Sequence, residues 1–311
     1  MALHIQGVIP PVVTPLISCD QLDVEAVDRV TEHLIDGGVA GLFVLGTTGE
    51  GPSQTYQTRY EMVERTCQAA DKRVPVLTCV TDTSIGESLA LAAHAADCGS
   101  AAIVAAAPYY FEASQRALFR WFFELAEQSP LPLMLYNMPS CVGVDLEFTT
   151  VCDLSQHPNI IGIKDSSGNL ELFSKLCQQF RGRDDFRVYM GPEELLAEAV
   201  HAGAAGGVCG GANLLPHVYV ELYEAAVAHD SDAIQRWQRV IHSVFQSVYR
   251  DATGRMNLIP ALKAAMQECG LCRDVVAPPF SPLCEEHRRQ IVTELPRILQ
   301  TSDSPLSAGS L

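Results

Sequence analysis

The residues best suited to chemistry in this 311-residue chain are a lysine, three tyrosines and two glycine turns rich in hydroxyl groups or small residues. Asn159-Ile160-Ile161-Gly162-Ile163 is short, apolar and β-branched, the pattern of a strand buried on both faces. Lys164 follows at its carboxyl end, with Asp165-Ser166-Ser167-Gly168 behind it. A lysine there is either the partner of a nearby carboxylate or an amine held partly out of water for chemistry. Free lysine titrates near ~10.4, so a nucleophilic one must be desolvated. Gly46-Thr47-Thr48-Gly49-Glu50 ends a second apolar run, Tyr109-Tyr110 a third and Tyr136 a fourth. An amine with phenols nearby suits Schiff-base formation with a 2-oxo acid. A phenol such as Tyr136 can give and take the protons that carbinolamine dehydration and C–C cleavage require. The hydroxyls of Thr47 and Thr48 and the backbone N–H groups of the turn through Gly49 would hold the carboxylate. Plainer readings stand beside these: an ordinary turn at 46–49, and packing or an interface for Tyr109 and Tyr110.

The elements that must position these groups alternate regularly. Strand-like runs at 8–13 (broken by Pro10-Pro11), 41–45, 74–80, 101–107, 132–136, 160–163, 187–190 and 206–209 are separated by helical patterns at 23–35, 55–70, 85–97, 115–128, 146–154, 170–180 and 193–201. A further helix is expected at 216–228. Eight such units predict an α/β fold with a closed (β/α)8 TIM barrel rather than an open sheet, and no Gly-x-Gly-x-x-Gly follows the first strand. The barrel would span residues 1–230 and a C-terminal helical region 231–300, with helices at 233–250, 258–269 and 285–299; the Ser/Pro/Gly-rich residues 301–311 are expected to be a disordered tail. Barrel active sites lie at the carboxyl ends of the strands. That rule brings Thr47, Thr48, Tyr109, Tyr110, Tyr136, Lys164, Gly191, Glu193, Gly210 and Gly211 to one face. Gly206 to Gly211 could instead cradle a phosphate, and Glu193 could simply face the positive end of a helix.

Composition narrows the class. A formal charge of −16 argues against nucleic acid and an anionic membrane surface as partners. No apolar run approaches the roughly 20 residues of a membrane span. The start shows no basic segment leading an apolar one, so no signal peptide is expected. Eleven scattered cysteines fit a reducing cytoplasm. Cys269-Gly270-Leu271-Cys272 has no second pair, and the histidines show no ligand spacing; neither a metal nor any cofactor beyond a covalent adduct on Lys164 is expected.

Gly46-Thr47-Thr48-Gly49-Glu50, Pro108-Tyr109-Tyr110, Tyr136-Asn137-Met138-Pro139 and Gly162-Ile163-Lys164-Asp165, in this order, with 28 positions from Tyr136 to Lys164, resemble the dihydrodipicolinate synthase / N-acetylneuraminate lyase family of pyruvate-dependent class I aldolases. The resemblance implies a barrel with a C-terminal helical extension, usually a homotetramer or dimer of dimers. It implies that Lys164 forms the Schiff base and Tyr136 is the general acid/base. Thr47 would link Tyr136 to Tyr110 of a neighbouring subunit, and Thr48 and Gly49 would help hold the carboxylate. Two departures bear on substrate. Cys141 stands where the synthases carry an arginine for the aldehyde's carboxylate, and Phe111 replaces a polar residue. Gly191-Pro192-Glu193-Glu194 is similar to a sugar-contacting stretch of the sialate lyases, with Glu193 for Asp. The stretches 158–166, ending in Ser166, and 206–213, containing Val208, are similar to 4-hydroxy-2-oxoglutarate or 2-keto-3-deoxy-acid aldolases. The expected activity is reversible cleavage of a hydroxylated 2-oxo acid to pyruvate or glyoxylate plus a partner. The alternatives are 4-hydroxy-tetrahydrodipicolinate synthase chemistry, joining pyruvate to aspartate semialdehyde, and a non-catalytic barrel that binds a 2-oxo acid.

Overall fold

The apolar runs become eight parallel strands: β1 (Gly7–Val8), β2 (Leu42–Val44), β3 (Val76–Cys79), β4 (Ala102–Ala106), β5 (Leu133–Asn137), β6 (Ile160–Asp165), β7 (Arg187–Met190) and β8 (Gly206–Gly207). The computed structural model describes residues 4–302 and Leu306. From β2 to β8 each strand pairs in parallel with the next in sequence, and β8 pairs with β1. The ring closes through one short segment. Gly7 and Ile9 donate to the carbonyls of Ala205 and Gly207 on the β8 side, while Val12 donates to Phe43 and Phe43 donates to Pro10 on the β2 side. Pro10 and Pro11 have no N–H to give, so β1 is shorter than the expected 8–13 and the β2 contact is an isolated bridge at Pro11. The fold is a (β/α)8 barrel followed by helices.

Helices α1 (Val24–Asp36), α2 (Tyr56–Ala70), α3 (Ile85–Cys98), α4 (Gln115–Gln128), α5 (Phe148–Leu154), α6 (Leu170–Gln179), α7 (Leu196–Ala202) and α8 (Pro216–Val227) follow the strands. Asp23, Thr55, Ser84, Ser114 and Asn169 each accept a first-turn amide with the side chain, which fixes where five of these helices begin. Apolar residues of β5 and β6 such as Leu133, Leu135 and Ile163 are fully buried, each contributing about 1.5–3 kcal/mol of burial free energy. A small antiparallel hairpin (Leu16–Ser18 with Gln21–Leu22) and a single-turn helix (Pro139–Val142) have no counterpart in the sequence reading, and the helix expected from Glu193 starts as a 3-10 turn over Glu193–Leu195.

Beyond the barrel come α9 (Ser231–Val244), α10 (Leu258–Glu268) and α11 (Glu285–Thr301). The regular helix expected to run to Arg250 gives way to a π turn at Phe245–Tyr249. Trp237, Val244, Tyr249, Leu262, Met266 and Leu295 join the apolar core that contains the barrel residues, so the helical region and the barrel share one core. Helix α11 carries order to Thr301; residues 303–305 and 307–311 of the expected tail lie outside the described residues. No described helix is long and apolar enough to cross a membrane.

Candidate active site

Lys164 is on β6 in register with Tyr136 on β5, so the pleat turns both side chains to the same face. Lys164 is only 4% exposed, and its Nζ sits 4.1 Å from the centroid of the Tyr136 ring and 5.0 Å from that of Phe43. Both ring faces lie within cation–π reach of the amine. No carboxylate lies within ion-pair distance among the described residues, so the structural reading of this lysine, a buried salt-bridge partner, has no partner to name.

Tyr136 Oη and Thr47 Oγ1 are 3.0 Å apart, either able to donate. Thr47 is held by a turn that the chain secures from two sides. Within it, Glu50 N–H donates to Thr47 O and Gly51 N–H to Gly46 O, with Leu45 and Glu50 at left-handed φ of 61° and 55°. From outside, Lys263 Nζ of α10 donates to Glu50 Oε1 at 2.6 Å and to Thr14 O at 2.8 Å, and Ala277 N–H donates to Glu50 Oε2 at 2.7 Å. Both side chains are wholly buried. Gly49 packs behind the turn, where a Cβ would lie 2.7 Å from Val12 O, and its carbonyl accepts from Thr14 Oγ1 at 2.5 Å.

At the end of β6, Asp165 accepts from Asn137 Nδ2 at 2.9 Å and from both the backbone and hydroxyl of Ser167. Burial pushes its carboxyl up against these bonds. The net anchors the strand one residue past Lys164. At the β7 end, Glu193 is buried and accepts from Gly211 N–H at 2.6 Å and Tyr219 Oη at 2.8 Å. A Cβ at Gly211 would fall 2.1 Å from that Tyr219 oxygen, so only glycine lets this turn close on the carboxylate. The Gly206–Gly211 run therefore spends a backbone donor on Glu193, which weakens the phosphate-cradle reading.

Burial drives the Glu193 carboxyl up to about 7 from its ordinary 4.5. The folded state then holds a proton that the unfolded chain releases, so this group subtracts stability as pH rises from about 4.5 to about 7. In Glu193→Gln that slope disappears: the wild-type melting temperature should fall across this window relative to the variant's, as followed by circular dichroism at fixed ionic strength. Parallel curves for the two proteins would refute the assignment.

Lys164, Tyr136, Thr47, Thr48, Ser166, Gly191, Glu193 and Val208 all line one cavity of about 910 Å³. The other expected site residues do not. Gly49 is behind its turn, and Cys141 is exposed on the single-turn helix and absent from the cavity wall. Tyr110 is 88% exposed at a left-handed φ of 85°, its ring edge-on to Phe111, itself 80% exposed. Sequence reasoning placed nothing from the helical region here, yet Phe245, Asp251, Arg255, Asn257 and His287 stand on the same wall. No spacing marks them: Phe245 to Asn257 belong to the segment between α9 and α10, which carries no repeat or motif, and His287 is a lone histidine in α11. Cys269 and Cys272 are free thiols pushed up to about 11 and about 12 by burial, and no metal-ligand cluster occurs among the described residues.

Comparison with known proteins gives a consistent picture. A family profile described as "Dihydrodipicolinate synthetase family" matches residues 4–298. The solved dihydrodipicolinate synthase of Bacteroides thetaiotaomicron is 43% identical, with a TM-score of 0.91 over 96% of this chain and 100% of that one. A prophage protein of the dihydrodipicolinic acid synthase family from E. coli K12, solved in complex with pyruvate, is 31% identical with a TM-score of 0.87, covering 94% of this chain and 98% of that one. The 4-hydroxy-tetrahydrodipicolinate synthase of Thermus thermophilus is 34% identical over 283 residues, 90% of this chain and 92% of its own.

Proposed function

Because this chain belongs to the dihydrodipicolinate synthetase family, we propose that it is a class I aldolase that makes or breaks the bond between C3 of pyruvate and an aldehyde carbon through a Schiff base on Lys164. The observation that carries the reading is the buried, carboxylate-free Nζ of Lys164 over the Tyr136 ring, with Thr47 hydrogen-bonded to the phenol. The neutral amine attacks C2 of the 2-oxo acid, and the carbinolamine loses water to give an iminium. Loss of a C3 proton gives an enamine, whose C3 attacks the aldehyde; the reverse sequence cleaves a 4-hydroxy-2-oxo acid and releases pyruvate. Tyr136 carries protons at the carbinolamine and at the aldehyde oxygen, and Thr47 restores its proton. Thr48, Ser166 and the turn amides hold the pyruvate carboxylate, and Glu193 keeps the β7 and β8 turns in register with it.

The same reading makes the protein a homo-oligomer, a tetramer or dimer of dimers, in which Tyr110 of one protomer approaches Thr47 of another. Two exposed aromatic rings and a non-glycine residue in a left-handed conformation, which costs about 1–2 kcal/mol, support it.

Reduction with borohydride in the presence of pyruvate is the test: the adduct mass should map to the peptide that holds Lys164, and no adduct would end the proposal. Tyr136→Phe should still give the adduct, formed more slowly, and lower kcat by about 10²–10⁴-fold, the usual weight of a positioned acid/base group. An equal rate in this variant would move the proton transfers elsewhere. A second reading, condensation of pyruvate with aspartate semialdehyde, is supported by the Thermus thermophilus relative's name. Pyruvate release from 4-hydroxy-2-oxoglutarate and 2-keto-3-deoxy acids, set against pyruvate consumption with aspartate semialdehyde, separates the two.

A further inference from the structure

We infer that Arg255 is the residue that selects the second substrate, by binding a carboxylate carried by the aldehyde. Arg255 lines the same cavity as Lys164 and Tyr136. The inference rests on the aldolase reading above, because it assigns the far end of that site.

The charges on the wall can be accounted for one at a time. Lys164 is consumed by the Schiff base, and the carboxylate of pyruvate is met by hydroxyls and amides. Glu193 is occupied by Gly211 and Tyr219. Asp251 is occupied within its own loop, accepting from Thr253 N–H at 2.9 Å, Thr253 Oγ1 at 2.6 Å and Arg255 N–H at 3.0 Å. His287 gives one ring nitrogen to Val248 O at 2.7 Å and is buried. Glu194 is exposed at the rim and makes no hydrogen bond or ion pair among the described residues. Arg255 is then the one guanidinium on the wall, and it too is unpaired among the described residues.

An unpaired arginine could be a mobile surface side chain, but its backbone is not free. Asp251 N–H donates to Arg255 O at 3.1 Å, Arg250 Nη1 to Gly254 O at 2.9 Å, and Arg250 and Met256 form an antiparallel bridge. The hairpin therefore delivers position 255 to the cavity mouth from a fixed base. A guanidinium matches a carboxylate with two parallel N–H···O bonds, which a cysteine cannot do. Cys141, the neutral residue at the position expected to read this group, is off the wall. The cation that the β5 side lacks is supplied to the same cavity by the C-terminal region.

The recognised chemistry is a short aldehyde bearing its own carboxylate. Glyoxylate and glycolaldehyde are a matched pair of probes, since they have the same carbon skeleton and differ in carboxylate against alcohol; aspartate semialdehyde tests a longer acid. With pyruvate as donor, the ratio of kcat/KM for glyoxylate over glycolaldehyde should fall at least tenfold in Arg255→Ala and in Arg255→Gln, through KM, and recover in part in Arg255→Lys. If glyoxylate is unaffected and only aspartate semialdehyde loses its preference, the clamp reads the longer acid and the inference stands. If the ratio is unchanged for both acids while pyruvate and borohydride still label Lys164, the inference is wrong and the aldolase reading survives. If the wild type takes no label, the aldolase reading itself fails.

Discussion

Lys164→Arg is expected to yield a folded barrel that pyruvate and borohydride no longer label, with turnover lower by at least about 10³-fold, the scale on which loss of a covalent nucleophile is felt. The choice of arginine matters. Its cation can stay over the Phe43 and Tyr136 rings, so packing and charge are largely kept, and its guanidinium stays protonated and cannot add to a carbonyl. Thermal melting by circular dichroism establishes that the variant is folded, and intact-mass measurement reads the adduct. An adduct on the folded Lys164→Arg protein would show that another amine carries the chemistry, and the mechanism would be lost.

Lys263→Met should destabilise the protein by about 3–5 kcal/mol, because it leaves Glu50 as a buried charge facing only one amide. The pair is not an economical way to gain stability; replacing both charges is often neutral. Accordingly Glu50→Gln/Lys263→Met should recover much of the loss in urea denaturation. Activity separates positioning from mere stability. Glu50 ends the turn that holds Thr47 against Tyr136, so the double variant, even when fully folded, should show a lower kcat with an undiminished pyruvate adduct. A double variant with wild-type kcat would mean that the turn holds itself.

Much of this was readable in the chain because local signals agree with the final fold. Short β-branched runs separated by capped helices allow few architectures, and the rule that barrel chemistry lies at the carboxyl strand ends assigns Thr47, Tyr136, Lys164 and Glu193 to one face, where all four line the cavity. What escaped was of two kinds. Phe43 lies inside an apolar strand, where its type says core and nothing says that an amine will rest on its face. Lys263 and Arg255 come from the helical region, where one lysine in α10 and one arginine in a loop have no periodic signature; the packing of α10 against the β2 turn brings in Lys263, and the bridged hairpin from Arg250 to Met256 brings in Arg255. Cys141 shows the converse, since the family resemblance nominated it and the single-turn helix leaves it exposed.

The closing segment of the ring is held by partners far apart in the chain. Residues 7–12 need Phe43 on one side and Ala205 and Gly207 on the other, and Val13 N–H and Pro11 O are both bonded to the side chain of Asn213. The turn bearing Thr47 reaches further still, to Lys263 and Ala277. Strand β1 and the turn bearing Thr47 therefore cannot be completed from local sequence alone. Asn213 and Lys263 lie 200 and 213 residues further along the chain than Val13 and Glu50, so both segments depend on contacts of long sequence separation.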